Sequence, residues 1–388
     1  MSSILIRNAH IITPLRDIER GAILVRGARI ASVKPGGAPT WARADFVIDA
    51  RGKFVVPGFI DMHIHGIGGH DVWHGAPESI RQMARIMVRF GTTSFLATTF
   101  YDLKSIKAVK AALRRMATGG AQCLGLYLEG PFISRVKRGA ILRRYCVHPE
   151  KRKLERILRI SGPALKVMTV APELEGAYAA FARLRRARIV PAIGHSNSSY
   201  DVTVQAIQAG ARHATHLFNA MRTFIAREPG VAGAAMADDH VSVEVIADGA
   251  HIHPMTVALV AKTKPLDKLV LITDSLALAG MPHGSGPFEM EGKMVELRDG
   301  ALRFKSGTIA GSVLTMDKAV RNVMEFAGVG LREAVMMATL NPARVLGIAK
   351  RKGQIAPGAD ADLVILDRGL HVETTIARGV IAYQRPPL

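Results

Sequence analysis

The sequence predicts an α/β fold: a (β/α)8 barrel with a small β-sandwich domain built from both termini. Three observations predict it. Eight apolar, strand-like segments alternate with helical patterns through the middle of the chain, as in a parallel sheet with crossover helices. Short β patterns separated by turn residues fill both ends. Polar residues recur at the C-terminal ends of the apolar segments, the edge on which such barrels build their sites.

The elements follow in chain order. SILIRNAHIIT, GAILVRGARIASVK and DFVIDARGKFVV read as strands near the start, and GADADLVILD and HVETTIARGVIAYQ near the end. They are expected to join into one domain of residues 1–56 and 355–388, leaving 57–354 for the barrel. Barrel strands are expected at VPGFIDMHIH, TTSFLATTF, CLGLYLEG, LKVMTVAPE, IVPAIGHS, HATHLFNAM, VSVEVIADGAH and KLVLITDS. Helical periodicity lies between most of them, in ESIRQMARIMVRFG, KSIKAVKAALRRMATG, EGAYAAFARLRRAR, YDVTVQAIQAG and PMTVALVAKTK. A glycine-punctuated hairpin, GPFEMEGKMVELRDGALRF, follows the eighth strand. Two helices, TMDKAVRNVMEFAG and LREAVMMATLNPARVLG, come after it.

With 388 residues and 48% hydrophobic side chains, the chain suits one large or two ordinary domains with a large core. The 22% of charged residues exclude a disordered or fibrous composition. No apolar run reaches the roughly 18 residues of a membrane span. MSSILIRNAHI lacks the basic and apolar regions of a secretory signal. Cys123 and Cys146 are too few for a disulfide framework, so a cytoplasmic location is expected.

The 52 basic and 32 acidic side chains leave a net charge of +20. Nucleic acid is one reading of that charge. The basic clusters ARLRRARI and HPEKRKLERILRI lie on helical segments, however, where a solvated face is the simpler account. With 6 Tyr and 2 Trp, no aromatic-interleaved basic strand offers a stacking platform for bases. No nucleic acid and no membrane partner is expected. The potential suits steering of an anionic small molecule such as a sugar phosphate.

FVVPGFIDMHIHG ends in His63 and His65. Residues i and i+2 of a strand share a face, so both imidazoles reach one point. A lone histidine is more often structural, but a pair closing an apolar strand before Gly66 suits metal ligation. Asp61 alternates with the pair and is read as an inward carboxylate behind the ligands. Glu129 ends CLGLYLE, where a buried carboxylate needs a partner. Arginine is one such partner, and a metal surrounded by other polar strand ends is the better one. His195 in PAIGHS and His216 in ATHLFNAM complete a cluster of four imidazoles, while His213 is read as structural. Asp274 closes LVLITD. It has the alternative of capping the turn DSLALAG and is read as a catalytic base. Imidazole and carboxylate donors suit zinc, and also iron or manganese, so a divalent-metal hydrolase with one or two metals is expected. Asn219, Arg227 and His251 stand just past the sixth and seventh strands. GIGGH and TIAGS lack the spaced Gly-Lys of a phosphate loop.

PGFIDMHIHG, YLEGPFIS, GHSNSSY, THLFNAM, REPGVAGA, ADGAHIHP, TDSLALAG and TIAGSVLTMD, in order along the chain, resemble the N-acetylglucosamine-6-phosphate deacetylases of the amidohydrolase superfamily. LEGPF, GHS, HLFNAM and REPG are particular to that family, whereas His-x-His marks only the superfamily. The resemblance implies a metal-dependent hydrolase that removes the acetyl group of an amino-sugar 6-phosphate, usually as a homodimer. It implies Glu129, His195 and His216 as ligands of the metal found throughout the family. Members with Gln-x-Asn at the positions of His63 and His65 hold one metal. His-x-His members resemble two-metal enzymes, with Glu129 bridging. Asp274 matches the catalytic aspartate. Asn219, Ala220, His251, Ile309, Ala310 and Gly311 match substrate contacts, and Arg227 matches an arginine that reaches the substrate phosphate of the neighbouring subunit. Cyclic amidases of the same superfamily bridge their metals through a modified lysine, whereas LKVMTVAPE has its lysine at the strand start.

There is one departure. The family continues past EGPF to Lys-Gly-Ala-His, its histidine approaching the acyl group. Here the run is VKRGAILRRY, so Ala140 is followed by Ile141 in the histidine's place, and His148 lies seven residues on. Isoleucine cannot donate a hydrogen bond. This leaves open another acylated amino sugar, N-acetylgalactosamine 6-phosphate among them, or another amide.

Overall fold

Eight parallel strands in consecutive order form the barrel wall: β1 (Phe59–Ile64), β2 (Thr92–Thr99), β3 (Gln122–Phe132), β4 (Leu165–Val170), β5 (Val190–Ile193), β6 (His213–Ala214), β7 (Ser242–Val245) and β8 (Leu269–Leu271). All eight expected segments supply one. The computed structural model describes residues 2–36, 43–116, 118–282, 287–290 and 292–386. Ala117 of the second helical pattern and Gly286 and Glu291 of the hairpin lie outside the described residues.

β1 and β2 are buried along their whole length, as expected when helices cover one face and the barrel interior fills the other. The wall closes just past β8: Asp274 N–H donates to His63 O at 2.8 Å and His65 N–H to Ser275 O at 3.0 Å. These bonds place the ends of the first and last strands side by side, which is what brings His63 and Asp274 together.

Seven helices alternate with the strands: α1 (Pro77–Met87), α2 (Leu103–Arg114), α3 (Lys151–Ser161), α4 (Ala177–Arg186), α5 (Tyr200–Gln208), α6 (Gly230–Ala237) and α7 (Pro254–Thr263). In α1 the buried residues Ile80, Met83, Ala84 and Met87 form the i, i+3, i+4, i+7 stripe that made the helix legible. Asp102 caps α2 by accepting from Ser105 N–H at 2.8 Å. The sequence pattern does not reveal α6. Its GVAGAAMA is buried nearly all round and carries no polar face to set a period.

After β8 the chain makes an antiparallel sheet of Phe288–Met290, Lys293–Arg298, Ala301–Phe304 and Ile309–Ser312. α8 (Met316–Ala327) follows. The last expected helix is broken in two, α9 (Leu331–Ala338) and α10 (Leu340–Val345). Pro342 has no N–H for the Ala338 carbonyl, and Thr339 leaves helical geometry with φ −135° and ψ −74°.

Both termini build the second sheet. Ser3–Ile12, Asp17–Arg26 and Arg29–Pro35 pair antiparallel. Phe54–Pro57 links Ser3–Ile12 to Leu363–Leu366, which continues to Val372–Ala377 and Val380–Gln384. The expected terminal domain is present, its strands hydrogen-bonded in one continuous order. Ser3–Ile12 changes register after Ile6, beside the left-handed Asn8, and pairs with Phe46–Asp49 before that point and with Phe54–Pro57 after it. Residues from both halves, including Ile6, Ile23, Val55, Leu363 and Ile376, share one apolar core. No helix among the described residues is long and apolar enough to cross a membrane.

Candidate active site

The six polar strand-end residues converge. His63 lies in β1 and His65 one residue past it, their ring centroids 5.3 Å apart. Glu129 stands within β3. His195, His216 and Asp274 lie two, two and three residues past β5, β6 and β8. All three adopt left-handed backbone, with φ of 46°, 28° and 49°. For non-glycine residues this costs on the order of 1–3 kcal/mol each and persists only where the surroundings fix it, commonly at functional sites.

Two donor groups meet at Glu129. Its Oε1 lies 2.8 Å from His195 Nε2 and 3.0 Å from His216 Nε2, and those two nitrogens are 3.1 Å apart. Its Oε2 lies 3.2 Å from His65 Nε2, which is 3.3 Å from Asp274 Oδ1. His63 Nε2 is 3.5 Å from the same Asp274 oxygen. Glu129, His195 and His216 thus form one group of possible metal donors, and His63, His65 and Asp274 the other. A tetrahedral ion with bonds of about 2.0–2.1 Å separates its ligand atoms by roughly 3.3 Å, so the spacing in both groups fits.

The hydrogen bonding fits as well. His195 Nδ1 lies 2.9 Å from Lys137 O, to which it can only donate, so its Nε2 carries the lone pair. His63 Nε2 is buried without a hydrogen-bond partner, as expected of a nitrogen whose partner is a cation.

The electrostatics of the cluster point the same way. Burial alone would lower His63 and His65, but neighbouring carboxylates outweigh it and raise them to about 10 and about 9. Burial likewise opposes ionisation of Glu129 and Asp274. The histidines around them prevail, holding Glu129 well below the usual carboxylate range and Asp274 below it. Asp61 differs. Burial pushes its carboxyl up to about 7, against hydrogen bonds from Thr273 and the His63 N–H. It accepts from Thr273 Oγ1 at 2.6 Å, which ties the ends of β1 and β8 together rather than backing a ligand.

A cavity of about 250 Å³ opens over this cluster. The predicted substrate positions Asn219, Ala220, His251, Ile309, Ala310 and Gly311 all line it, and so do Ala140 and Ile141 of the run that departs from the family. His251 Nδ1 is held by Asp248 Oδ2 at 2.6 Å, and its Nε2 lies 3.9 Å from Asp274 Oδ2. Ile141 is 2% exposed and packs in an apolar cluster with Phe100, Ile133, Leu276 and Met290.

Two further residues lie outside this cavity, the first of them as expected of a side chain that serves a neighbouring subunit. Arg227 is exposed and does not line its own chain's cavity. His148 borders a separate surface cavity between α3 and α4 and does not take the place left by Ile141. The sequence motifs also missed Glu244 and Asp248. A lone acid inside the apolar run VSVEVIA was the available signal for the first, and an acid three residues before His251 for the second.

A parallel barrel with two histidine–carboxylate donor groups at its C-terminal mouth defines a metal-dependent hydrolase. The family model described as "Amidohydrolase family" matches residues 54–382. N-acetylglucosamine-6-phosphate deacetylase from Lysinibacillus sphaericus is 34% identical over 388 residues, covering 98% of each chain. N-acetylgalactosamine-6-phosphate deacetylase from Escherichia coli O157:H7 is 37% identical over 342 residues, covering 87% of this chain and 89% of that one. A mutant N-acetyl-D-glucosamine-6-phosphate deacetylase from Mycobacterium smegmatis, solved in complex with N-acetyl-D-glucosamine-6-phosphate, superposes with a TM-score of 0.91 at 32% identity. The match covers 99% of this chain and 100% of that one. The chain belongs to the N-acetylglucosamine-6-phosphate deacetylase family of the amidohydrolases.

Proposed function

We propose that this enzyme hydrolyses the N-acetyl group of an amino-sugar 6-phosphate, converting N-acetylglucosamine 6-phosphate and water to glucosamine 6-phosphate and acetate. The observation that carries the hydrolytic chemistry is the pair of donor groups sharing Glu129, with Asp274 beside them. The substrate rests on the names of the relatives and on the cavity lining. Glu129, His195 and His216 would hold one divalent ion. His63, His65 and Asp274 would hold a second, with Glu129 Oε2 alongside. Nitrogen and carboxylate donors favour zinc, with iron or manganese next. When bound, the metal would acidify a water and polarise the acyl carbonyl.

The chain's own residues do the rest. Asp274, ionised at neutral pH because its carboxyl is held below the usual range, takes the proton of the attacking water and returns it to the leaving amine. Asn219 and His251 orient the sugar. Arg227, exposed and outside its own cavity, serves the phosphate in a second copy of the chain, where a guanidinium matches the phosphate oxygens. The chain works as a cytoplasmic homodimer. Its catalytic barrel is residues 57–354, flanked by a sheet domain of 1–56 and 355–388.

N-acetylgalactosamine 6-phosphate is the second reading, favoured by the Escherichia coli relative and by Ile141 at the cavity wall. Acetate release from 6-phosphates of N-acetylglucosamine, N-acetylgalactosamine and N-acetylmannosamine, with metal content measured on the same sample, tests the proposal. Turnover of the first supports the main reading. Turnover of the galacto epimer alone replaces it, and no acetate from any member of the panel overturns both.

A further inference from the structure

Glu244 is the one charged residue in β7 and is fully buried, yet the proposed reaction does not use it. Three donors from two strand segments, β1 and the end of β6, meet its carboxylate. Oε2 accepts from His63 Nδ1 at 3.0 Å and from the His216 backbone N–H at 2.9 Å. Oε1 lies 3.0 Å from His213 Nε2, and His213 Nδ1 is itself 2.7 Å from Ser242 Oγ. An ionised carboxylate with no exposure is tolerated only when so satisfied.

The consequence falls on His63. An imidazole that donates Nδ1–H to a carboxylate offers its Nε2, made more basic, as the nitrogen that would meet a cation. His63 Nε2 is the buried, unpartnered nitrogen that faces Asp274 and Glu129. His65, the other imidazole of that group, has no such support, since its Nδ1 is also buried without a partner. The orientation of the group therefore depends on His63, and that of His63 on Glu244. Glu244 meets the Glu129–His195–His216 group only at the His216 backbone N–H, which the amide oxygen of a Glu244→Gln variant still accepts, and that group has a separate anchor, the Lys137 carbonyl on His195.

We infer that Glu244 is a positioning residue that makes the His63–His65–Asp274 group competent to bind a divalent cation. Occupancy of this second position depends on it, and occupancy of the Glu129–His195–His216 position does not. The inference rests on the reading that the His63 group holds a metal.

Titration of the metal-free protein with Zn²⁺ against a chelator of known affinity tests it without reference to activity. Wild type takes up two equivalents. In Glu244→Gln the second equivalent weakens by about 10–100-fold, the usual effect of losing a carboxylate behind a ligating histidine, while the first stays as tight as in wild type. In a His63→Gln background, adding Glu244→Gln leaves the first equivalent unchanged, because Glu244 no longer has the His63 imidazole to act through and the amide oxygen still accepts from the His216 N–H. If the amide variant does not fold, Glu244→Asp, which keeps the charge and shortens the reach, is expected to show the same loss. Equal weakening of both equivalents, an unchanged second equivalent, or further loss of the first in the double variant overturns the inference. A wild type that binds one equivalent at saturation overturns the two-metal reading instead, and this inference with it.

Discussion

Asp274 combines a strained backbone with a demanding charge. Its φ of 49° is tolerated by Asp and equally by Asn. Its carboxylate lies 3.3 Å from His65 Nε2 and 3.5 Å from His63 Nε2. Asp274→Asn should therefore keep the fold and the metal of the Glu129 group but lose turnover by ~10²–10⁴-fold, because an amide cannot carry the proton. Near-normal acetate release from a metal-loaded Asn variant would move the base to another residue. Ile141 poses the opposite problem, an apolar side chain at a position where the family resemblance implies a hydrogen-bond donor. A lost donor to a developing oxyanion lowers turnover by ~10²–10³-fold. Ile141→His should recover part of that on N-acetylglucosamine 6-phosphate. It should also lower the melting temperature, because an imidazole then displaces apolar packing against Phe100 and Leu276. Unchanged kcat with a lowered melting temperature would remove Ile141 from the acyl site.

Among the elements, α6 owes the least to its own sequence. Eight residues of mostly Ala and Gly gain little from amphipathic burial, and Gly weakens a helix interior. Lys264, just past α7, compensates from outside: its side-chain nitrogen, which can donate charged or neutral, bonds to the carbonyls of Ala235 and Asp238 at the C-terminal end of α6. Burial lowers this ammonium from its ordinary 10.5 to about 8. Between those values the unfolded chain binds the proton and the folded chain has released it, so the contribution of Lys264 rises with pH across that window and is lost as pH falls through about 8. The difference in urea midpoint between wild type and Lys264→Met should thus shift in favour of wild type from about pH 7.5 to about pH 10. A difference that stays flat or moves the other way would show that Lys264 titrates normally in the folded chain. The β1–β8 junction needs no such prop, since backbone bonds and Asp61 tie it directly.

For the whole molecule, the open question is whether one chain makes a complete site. Arg227 is exposed outside its own cavity, with Phe224 and Ile225 about half exposed beside it. If phosphate is held by the arginine of a second copy, Arg227→Ala raises KM for the phosphorylated substrate and leaves the unphosphorylated analogue nearly unaffected. Mixing Arg227→Ala with the inactive Asp274→Asn should then restore a low KM. The mixed dimer has one site with its own Asp274 and the partner's Arg227. A mixture that performs only as the sum of its components, or a fully active monomer, rules out sharing. The charge of +20 adds long-range attraction for the anionic substrate, so kcat/KM is expected to fall with added salt.

What the sequence alone determined is whatever repeats at short range. Eight apolar runs alternating with amphipathic helices define the barrel, because burial on both faces of a strand and on one face of a helix leaves periodicities that no distant residue alters. The convergence of the polar strand-end residues was legible for the same reason, since a parallel barrel collects the C-terminal ends of its strands at one mouth whatever the loops do. The tertiary structure decided what depends on partners far apart in the chain. Glu244 meets His63 across 181 residues, and Asp61 meets Thr273 across 212. The break between α9 and α10 and the single continuous terminal sheet also came from the structure. α6 stayed hidden because a helix buried all round has no polar face to mark its period. The members of the second donor group came from the sequence as candidate ligands. Only the fold brought a buried carboxylate from the seventh strand within hydrogen-bond reach of His63, because no local pattern encodes which donor a buried acid will meet.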